Sequence, residues 1–570
     1  MNGKSEMPLE DFIAQPDTIP VIIRDGILIS EDFMLRHNIR TGTSLTGGYS
    51  IDYVDRGQVQ DMIPQVGTNI LTMIPIVMGL LDQQSLEHAG IMQVQRNPYL
   101  DLRGRGTLIG FVDTGIDYTM DSFIYEDGSS KIKYIWDQTI KGTAPAGFHF
   151  GAEYSDEEIN RALQSENPFE IIPHCDTVGH GTFLASVAAG CERGEYIGAA
   201  PDAEIIAVKL KRAEPYFYET FLVPEQQENV YASSSIMLGI QYIINKAAQL
   251  NRPIAICIAV GSNLGSHDGF SLIEEFLSRI SNTIGIAVAC AAGNESNTSR
   301  HTTGRIMNSG ESQNVELSAG NRIEDIFLNM WSGASDRMAV SVRSPTGELI
   351  PKIPVRSGSS YSTNLVLERS RVIIEYYLPV RGGGDQLTLI KILNPTPGIW
   401  TITVHGEIVL DGTYHIWLPL TGFLDPATVF LTPSPNYTIV TPAAAVGVTT
   451  CGAYDSMNNS LHASSSWGPT RLPMMSPDLA APGVNVAGIL PSGYGRMSGT
   501  SAAAAITAGA CALMLQWGIV EGNETSLTGN RIRANLIRGC SRNSSEEYPN
   551  VQWGYGRLNL YNALNIIRPM

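Results

Sequence analysis

Thr107-Leu-Ile-Gly-Phe-Val-Asp-Thr-Gly-Ile116 is a short apolar run that ends on a carboxylate and a glycine. A continuous apolar run of this length, punctuated by Gly104, Gly106 and Gly115, predicts a strand buried on both faces, as parallel strands are. Asp113 then stands at the strand's C-terminal end, where open α/β sheets place their chemistry. Two other tight, glycine-containing motifs carry complementary groups: Val178-Gly-His-Gly-Thr182 and Met497-Ser-Gly-Thr-Ser-Ala502. A serine hydroxyl is a poor nucleophile at neutral pH and needs a base within hydrogen-bond reach. The base needs a carboxylate to fix its tautomer and stabilise its charged form. Asp113, His180 and Ser501 supply those three groups and are the expected catalytic residues.

Outward from this strand, apolar runs alternate with helical patterns. Strands are expected at Ala203–Val208, Pro253–Val260 and Ile284–Cys290, and helices at Gly181–Gly190, Ser235–Leu250 and Ser271–Asn282. Alternation of this kind predicts an α/β fold, a parallel sheet with helices on both faces. A helix rich in small residues follows Ser501, from Ala502 to Trp517, and would pack closely in a crowded centre. Its N-terminal end would bring positive dipole potential to the serine.

Two other units flank or interrupt this pattern. From 305 to 435 the chain turns β-rich, with short runs such as Ile326–Met330, Val372–Tyr377 and Trp400–Val404, and turns at Pro345–Gly347 and Asp411–Gly412. That spacing predicts a β-sandwich or jelly-roll insertion between 96–300 and 440–570. Its aromatics Trp331, Tyr376, Tyr377, Trp400 and Trp417 read as core, with a carbohydrate- or peptide-binding platform as the alternative. Residues 1–95 form an α+β unit, with strands at Ile19–Ile23 and Tyr49–Val54 and a helix near Gln60–Ile70. A strand-like run at 71–78, a helix end at Gln84–Gly90 and an extended piece at Ile91–Gln95 complete it.

Composition narrows the class. The chain has 570 residues, 43% of them hydrophobic, and a formal net charge of -18, which argues against a nucleic-acid partner. The N-terminus lacks a basic start followed by an apolar run, and Ile74–Leu81 is too short to cross a membrane, so a protein kept inside the cell, without a membrane span, is expected. The seven cysteines are odd in number, lack a CxxC pair, and read as reduced buried thiols; Cys175 near His180 is a weak nucleophile candidate beside Ser501. No metal or cofactor is expected: Asp117, Asp121 and Asp127, the candidates for a calcium loop, read as solvated surface, and the stretch from Tyr118 to Asp176 as a polar surface excursion.

The three motifs resemble those of the subtilisin family of serine proteases, in Phe111–Ile116, Val178–Thr182 and Met497–Ala502. The resemblance implies Ser501 as nucleophile, His180 as general base then acid, and Asp113 as orienter of the ring. It implies Asn294, in Ala291-Ala-Gly-Asn294, as an oxyanion donor joined by the Ser501 backbone N–H. It also implies Ala259-Val260-Gly261 as the strand that pairs with substrate, and Ala291-Ala292-Gly293 as the facing wall of the specificity pocket. Ala502, Ala505 and Ile506 depart from the family's common residues in the serine helix.

The family carries N-terminal propeptides of this size, so residues 1–95 are expected to act as an intramolecular inhibitor. Ile91–Gln95 would be its tail, lying as a strand in the cleft, with self-cleavage between Gln95 and Arg96. The whole layout is similar to the clostridial Csp proteases, which implies processing of the proform of a spore-cortex hydrolase. The partners implied are a protein or peptide substrate and the chain's own propeptide. The alternative is a catalytically silent or propeptide-locked regulatory protein.

Overall fold

Leu108–Asp113 is a strand buried at every position near the centre of a nine-stranded sheet. The computed structural model describes residues 7–24, 31–66, 70–80, 87–194, 196–322, 324–380 and 384–567. On one side of Leu108–Asp113 lie Ile254–Ile258, Ile286–Ala291 and Thr449–Asp455, all parallel; on the other lie Glu204–Lys209 and Ile132–Asp137. Leu479–Pro482 adds in parallel to Thr449–Asp455, and the short antiparallel strands Ala152–Ser155 and Ser460–Leu461 close the edges. Burying each Leu, Ile or Val of the central strand contributes about 1.5–3 kcal/mol. That exceeds the ~1 kcal/mol span of strand propensity, so burial sets these strands.

Alternation along the central strand separates its two faces. Gly110 and Val112 approach the Ser233–Gln249 helix, whose Ile243 and Gly239 lie against them. Asp113 points the other way, toward the His180–Ala189 helix at Gly181. Helices therefore cover both faces, as expected. The Thr500–Leu515 helix is buried along its whole length and packs on Ile254–Ile258, Ile286–Ala291 and the His180–Ala189 helix. With its continuation to Val520 the helix is long and apolar enough to cross a membrane by composition, yet its most apolar 18-residue stretch is 89% buried inside the fold.

The β-rich stretch folds as two antiparallel sheets, of six and five strands. They share a core that includes Leu328, Tyr376, Ile390, Trp400 and Ile402. Tyr376 and Trp400 are core residues, whereas Trp331, Tyr377 and Trp417 lie on the opposite face of the six-stranded sheet, packed against the α/β part. The N-terminal part contributes a three-stranded antiparallel sheet with Tyr49–Asp55 in its centre, flanked by Thr18–Arg24 and Arg40–Leu45.

Three expectations are corrected. Ile91–Gln95 is a helix, not a strand: Gly90, in the left-handed region at φ 69°, starts it, and Ile91, Val94 and Gln95 are buried. The run 71–78 divides into a helix, Ile70–Met73, and a strand, Val77–Leu80, because Pro75 interrupts it. The segment Tyr118–Asp176 is not a surface excursion. It supplies Ile132–Asp137 and Ala152–Ser155 to the sheet, and Trp136 is fully buried against Phe148 and Tyr242. Of the expected helix end at Gln84–Gly90, residues 84–86 lie outside the described residues, as do 67–69 of the Gln60–Ile70 helix; Glu87–Ala89 forms one short 3-10 turn.

Candidate active site

Asp113 and His180 come from elements 67 residues apart and meet at 2.7 Å, His180 Nδ1 to Asp113 Oδ1. The same carboxylate oxygen accepts the Thr114 N–H at 2.8 Å. An ionised carboxylate only accepts, so the imidazole carries its proton on Nδ1, which makes Nε2 the nitrogen able to take one. His180 is the first residue of its helix, and Gly181 explains how it gets so close. A Cβ at Gly181 would lie 2.1 Å from the Gly115 carbonyl oxygen. Only glycine lets the helix start against the Asp113 loop, where Gly181 N–H donates to Thr114 Oγ1 at 2.9 Å.

Asp176 was not singled out from the sequence, yet it orders this helix start. One carboxylate oxygen accepts from Val178 N–H and Gly179 N–H, the other from Thr182 N–H and Thr182 Oγ1. The signal was available: an acidic residue just before a helix satisfies its orphan N–H groups. A second Asp–His pair lies beside the first. His174 Nδ1 is 2.7 Å from Asp137 Oδ2, and Ile116 N–H donates to His174 Nε2 at 3.3 Å. Burial alone would raise the Asp137 carboxyl, but hydrogen bonds from His174 and Thr139 hold it below its ordinary range. The His174 ring thereby ties the Asp113 loop to the end of the Ile132–Asp137 strand, across the intervening Glu204–Lys209.

Ser501 is the second residue of its helix and is fully buried. Its Oγ has no hydrogen-bond partner among the described residues. A buried hydroxyl left unpaired forgoes the hydrogen bonds that water would give it, at a cost of about 1–3 kcal/mol. Thr500 clamps the neighbouring loop from the same turn. Its N–H donates to Asn294 Oδ1 at 3.1 Å, and its Oγ1 accepts the Gly293 N–H at 3.1 Å. The Asn294 amide oxygen is thus engaged, which leaves the Nδ2 hydrogens as the donors this residue has to offer. Glu295, also missed from sequence, anchors that loop from behind. Burial raises its carboxyl, opposed by Arg300 and by hydrogen bonds from Thr421, Thr298 and Asn263.

Ala259, Val260 and Gly261 are buried, and the last two form a short strand. That strand pairs antiparallel with Val77–Leu80, Val260 opposite Leu80 and Gly261 opposite Gly79. The other edge of Val77–Leu80 pairs with Tyr231–Ala232. So the N-terminal part does place a strand on this edge, but it is Val77–Leu80 and not Ile91–Gln95. Gln95 instead donates from Nε2 to the Gly198 and Ala199 carbonyls, at 2.9 and 2.8 Å, and Arg96 follows it as the helix cap. Ala291 and Ala292 end the Ile286–Ala291 strand and are buried, and Gly293 turns out of it at φ 107°. All seven cysteines are free; six are buried, and Cys175 is half-buried with its carbonyl accepting from Lys209. Among the described residues no three His, Cys, Asp or Glu side chains converge as a metal site, and Asp117 and Asp127 instead accept from Thr119 and Ser129.

Comparison with known proteins identifies the family. The profile described as "Subtilase family" matches residues 104–345 and 431–556. The solved structure of the Clostridium perfringens CspB protease is similar over 84% of this chain and 96% of its own, at 32% identity and a TM-score of 0.75. Serine protease AprX of Bacillus subtilis (strain 168) is 32% identical over 150 residues, and subtilisin-like protease 4 of Trichophyton rubrum 25% over 317. The chain spans 32% and 64% of the length of those two curated relatives. With the family profile covering well over half of its residues and the CspB fold matched almost end to end, the chain belongs to the subtilase family of peptidases.

Proposed function

We propose that the protein is a serine endopeptidase held in check by its own N-terminal segment. Ser501 Oγ attacks the scissile carbonyl, His180 Nε2 takes its proton and later returns it to the leaving amine, and Asp113 holds the ring. Asn294 Nδ2 and the Ser501 backbone N–H receive the charge that develops on the carbonyl oxygen. The observation that carries this reading is the 2.7 Å contact between His180 and Asp113, set at the start of a helix packed on the helix that carries Ser501 in its first turn.

Val77–Leu80 lies on the Val260–Gly261 edge as a substrate strand would, with backbone bonds supplying the affinity. We read self-cleavage as falling after this strand and before the Glu87–Ala89 turn. This revises the expected cut between Gln95 and Arg96, since Gln95 lies in a buried helix. The walls formed by Ala259–Gly261 and Ala291–Gly293 would hold the side chain before the cut. The likeness to Csp proteases carries the further proposals that the substrate is the proform of a spore-cortex hydrolase and that the protein works in the cytoplasm or spore.

A fluorophosphonate probe tests the core of this reading. Labelling of the wild type and its loss in Ser501→Ala are expected. Intact-mass measurement of the same pair should show processing only in the wild type. One observation favours a second reading, a segment-locked regulatory protein: Val77–Leu80 is the central strand of its three-stranded sheet, gripped on both edges. No labelling of processed protein would support that reading instead.

A further inference from the structure

The outer face of the six-stranded sheet is apolar in a regular pattern. Along Ile326–Ser332, residues 326, 328 and 330 enter the sandwich core, while Phe327 and Trp331 join the core of the α/β part. Along Gln386–Leu393, Ile390 and Ile392 face inward and Leu387 and Leu389 outward. A cavity of about 430 Å³ opens where this outer face meets the α/β part and the N-terminal segment. Phe327, Tyr377, Leu387 and Leu389 line it from the insertion, and Leu264 and Phe270 from the α/β part. Its size is that of a pocket for a small ligand or several side chains.

The N-terminal part lines this cavity with Ile22, Arg56, Val59 and Thr72, and its run into the cleft strand adds two alternate residues. Ile74 and Ile76 line it, and both are half-buried. The backbone there continues the cleft strand: Ile76 N–H donates to Ser233 Oγ at 3.0 Å, and the Ser233 N–H donates to the Ile76 carbonyl at 2.8 Å. One extended track therefore runs from the Leu80–Val260 pair back to the insertion, and the two isoleucines leave much of the cavity open. Phe221, edge-on to Phe327 at 5.7 Å, and the Lys391–Glu375 ion pair, at 3.5 Å, border the opening with an apolar wall and a polar rim.

We infer that the cavity is a remote anchor for substrate. It takes apolar, preferably branched, side chains of an extended polypeptide four to six residues on the N-terminal side of the residue that pairs with Val260. The occupant is a substrate polypeptide, because the track that enters the cavity is continuous with the paired cleft strand and is already occupied by peptide. The inference rests on the proposed reading of that edge as the substrate track. The insertion would then select substrates by a patch that a short peptide never reaches.

Two peptides of the chain's own sequence test this, residues 77–86 and residues 70–86, with Ile74 and Ile76 replaced by serine in a third. Each is measured as substrate and as competitor of fluorophosphonate labelling of the processed full-length product. The 70–86 peptide should exceed the 77–86 peptide at least tenfold in kcat/KM, mainly through KM, and protect against labelling at a correspondingly lower concentration. The serine peptide should lose that advantage. In Tyr377→Ala and Leu389→Ala the ratio between long and short peptides should fall to within about threefold; a folding defect would lower both rates and preserve the ratio. Equal performance of the three peptides, or an unchanged ratio in both variants, overturns the anchor while leaving the protease reading intact. Absence of labelling in every form overturns the protease reading, and the anchor with it.

Discussion

Leu80 lies opposite Val260 in an antiparallel pair, and the strand that carries it is held on its other edge by Tyr231–Ala232. Both grips use backbone, so side chains along the strand decide how firmly it stays. Val77 is fully buried and pairs with Ala232. A carboxylate placed there loses hydration without gaining a partner. Val77→Asp should loosen the segment and raise the rate of fluorophosphonate labelling at Ser501 at least tenfold. A labelling rate equal to the wild type would mean that this strand does not guard the serine.

Gln95 gives a separate test of where the chain is cut. Its two bonds to the Gly198 and Ala199 carbonyls tie the Ile91–Gln95 helix to the α/β part. Gln95→Ala should lower stability by about 1–3 kcal/mol, seen as a lower Tm, because two buried carbonyls lose their donor. Self-cleavage should persist, with N-terminal sequencing finding the new end between residues 82 and 87. A new N-terminus at Arg96 in the wild type would restore the first expectation.

The loop that carries Asn294 is constrained at Gly293. Its φ is 107°, and a Cβ there would lie 2.5 Å from Val440 Cγ1 and 2.8 Å from Ser466 Oγ. Gly293→Ala combines backbone strain with a clash, so a loss of roughly 1–3 kcal/mol is expected. Asn294→Ala should act differently. It removes one donor to the oxyanion and should lower kcat by about 10²–10³, the range found for such a donor in subtilisin, with little change in Tm. Kinetics and melting measured on both variants separate the two effects.

Much of this site was readable because each reacting group sits in a short motif with a physical requirement of its own. Asp113 needs a strand end, His180 a glycine behind it, and Ser501 a helix start. Their supports were harder to see. Asp176 and Thr500 act through hydrogen bonds to backbone groups that only the folded loops bring near. Ile91-Met-Gln-Val-Gln95 is too short a run for its alternation to distinguish a strand from a helix. Packing against the Leu560–Ile567 helix decides that it is helical. The segment 118–176 hides its strands from the sequence because they carry polar and aromatic residues: Trp136 joins the sheet through Val208, far along the chain, and Tyr154 through its local antiparallel partner Ile135.

A last prediction concerns pH, from the junction between the insertion and the α/β part. His301 and His415 are buried there, with His301 Nε2 3.2 Å from His415 Nδ1 and both rings stacked on Trp417. His267 stacks on the other side of Trp417 at 4.2 Å, and Tyr437 and Arg471 complete the surroundings. Burial pushes His301 down to about 3, against the pull of the Ser434 carbonyl. Burial, then the neighbouring His301 and Arg471, holds His415 well below its ordinary value. Each histidine is therefore neutral when folded but binds a proton below pH ~6.5 when unfolded. The unfolded state takes up more protons, so their contribution to stability is present above about pH 6.5 and is lost as pH falls toward 3. By pH 5 the loss should reach roughly 2 kcal/mol for each of the two. Tm should fall more steeply from pH 7 to 5 in the wild type than in His301→Asn/His415→Asn, because the double variant removes both titrations. Parallel pH profiles would show that these rings do not set the acid sensitivity.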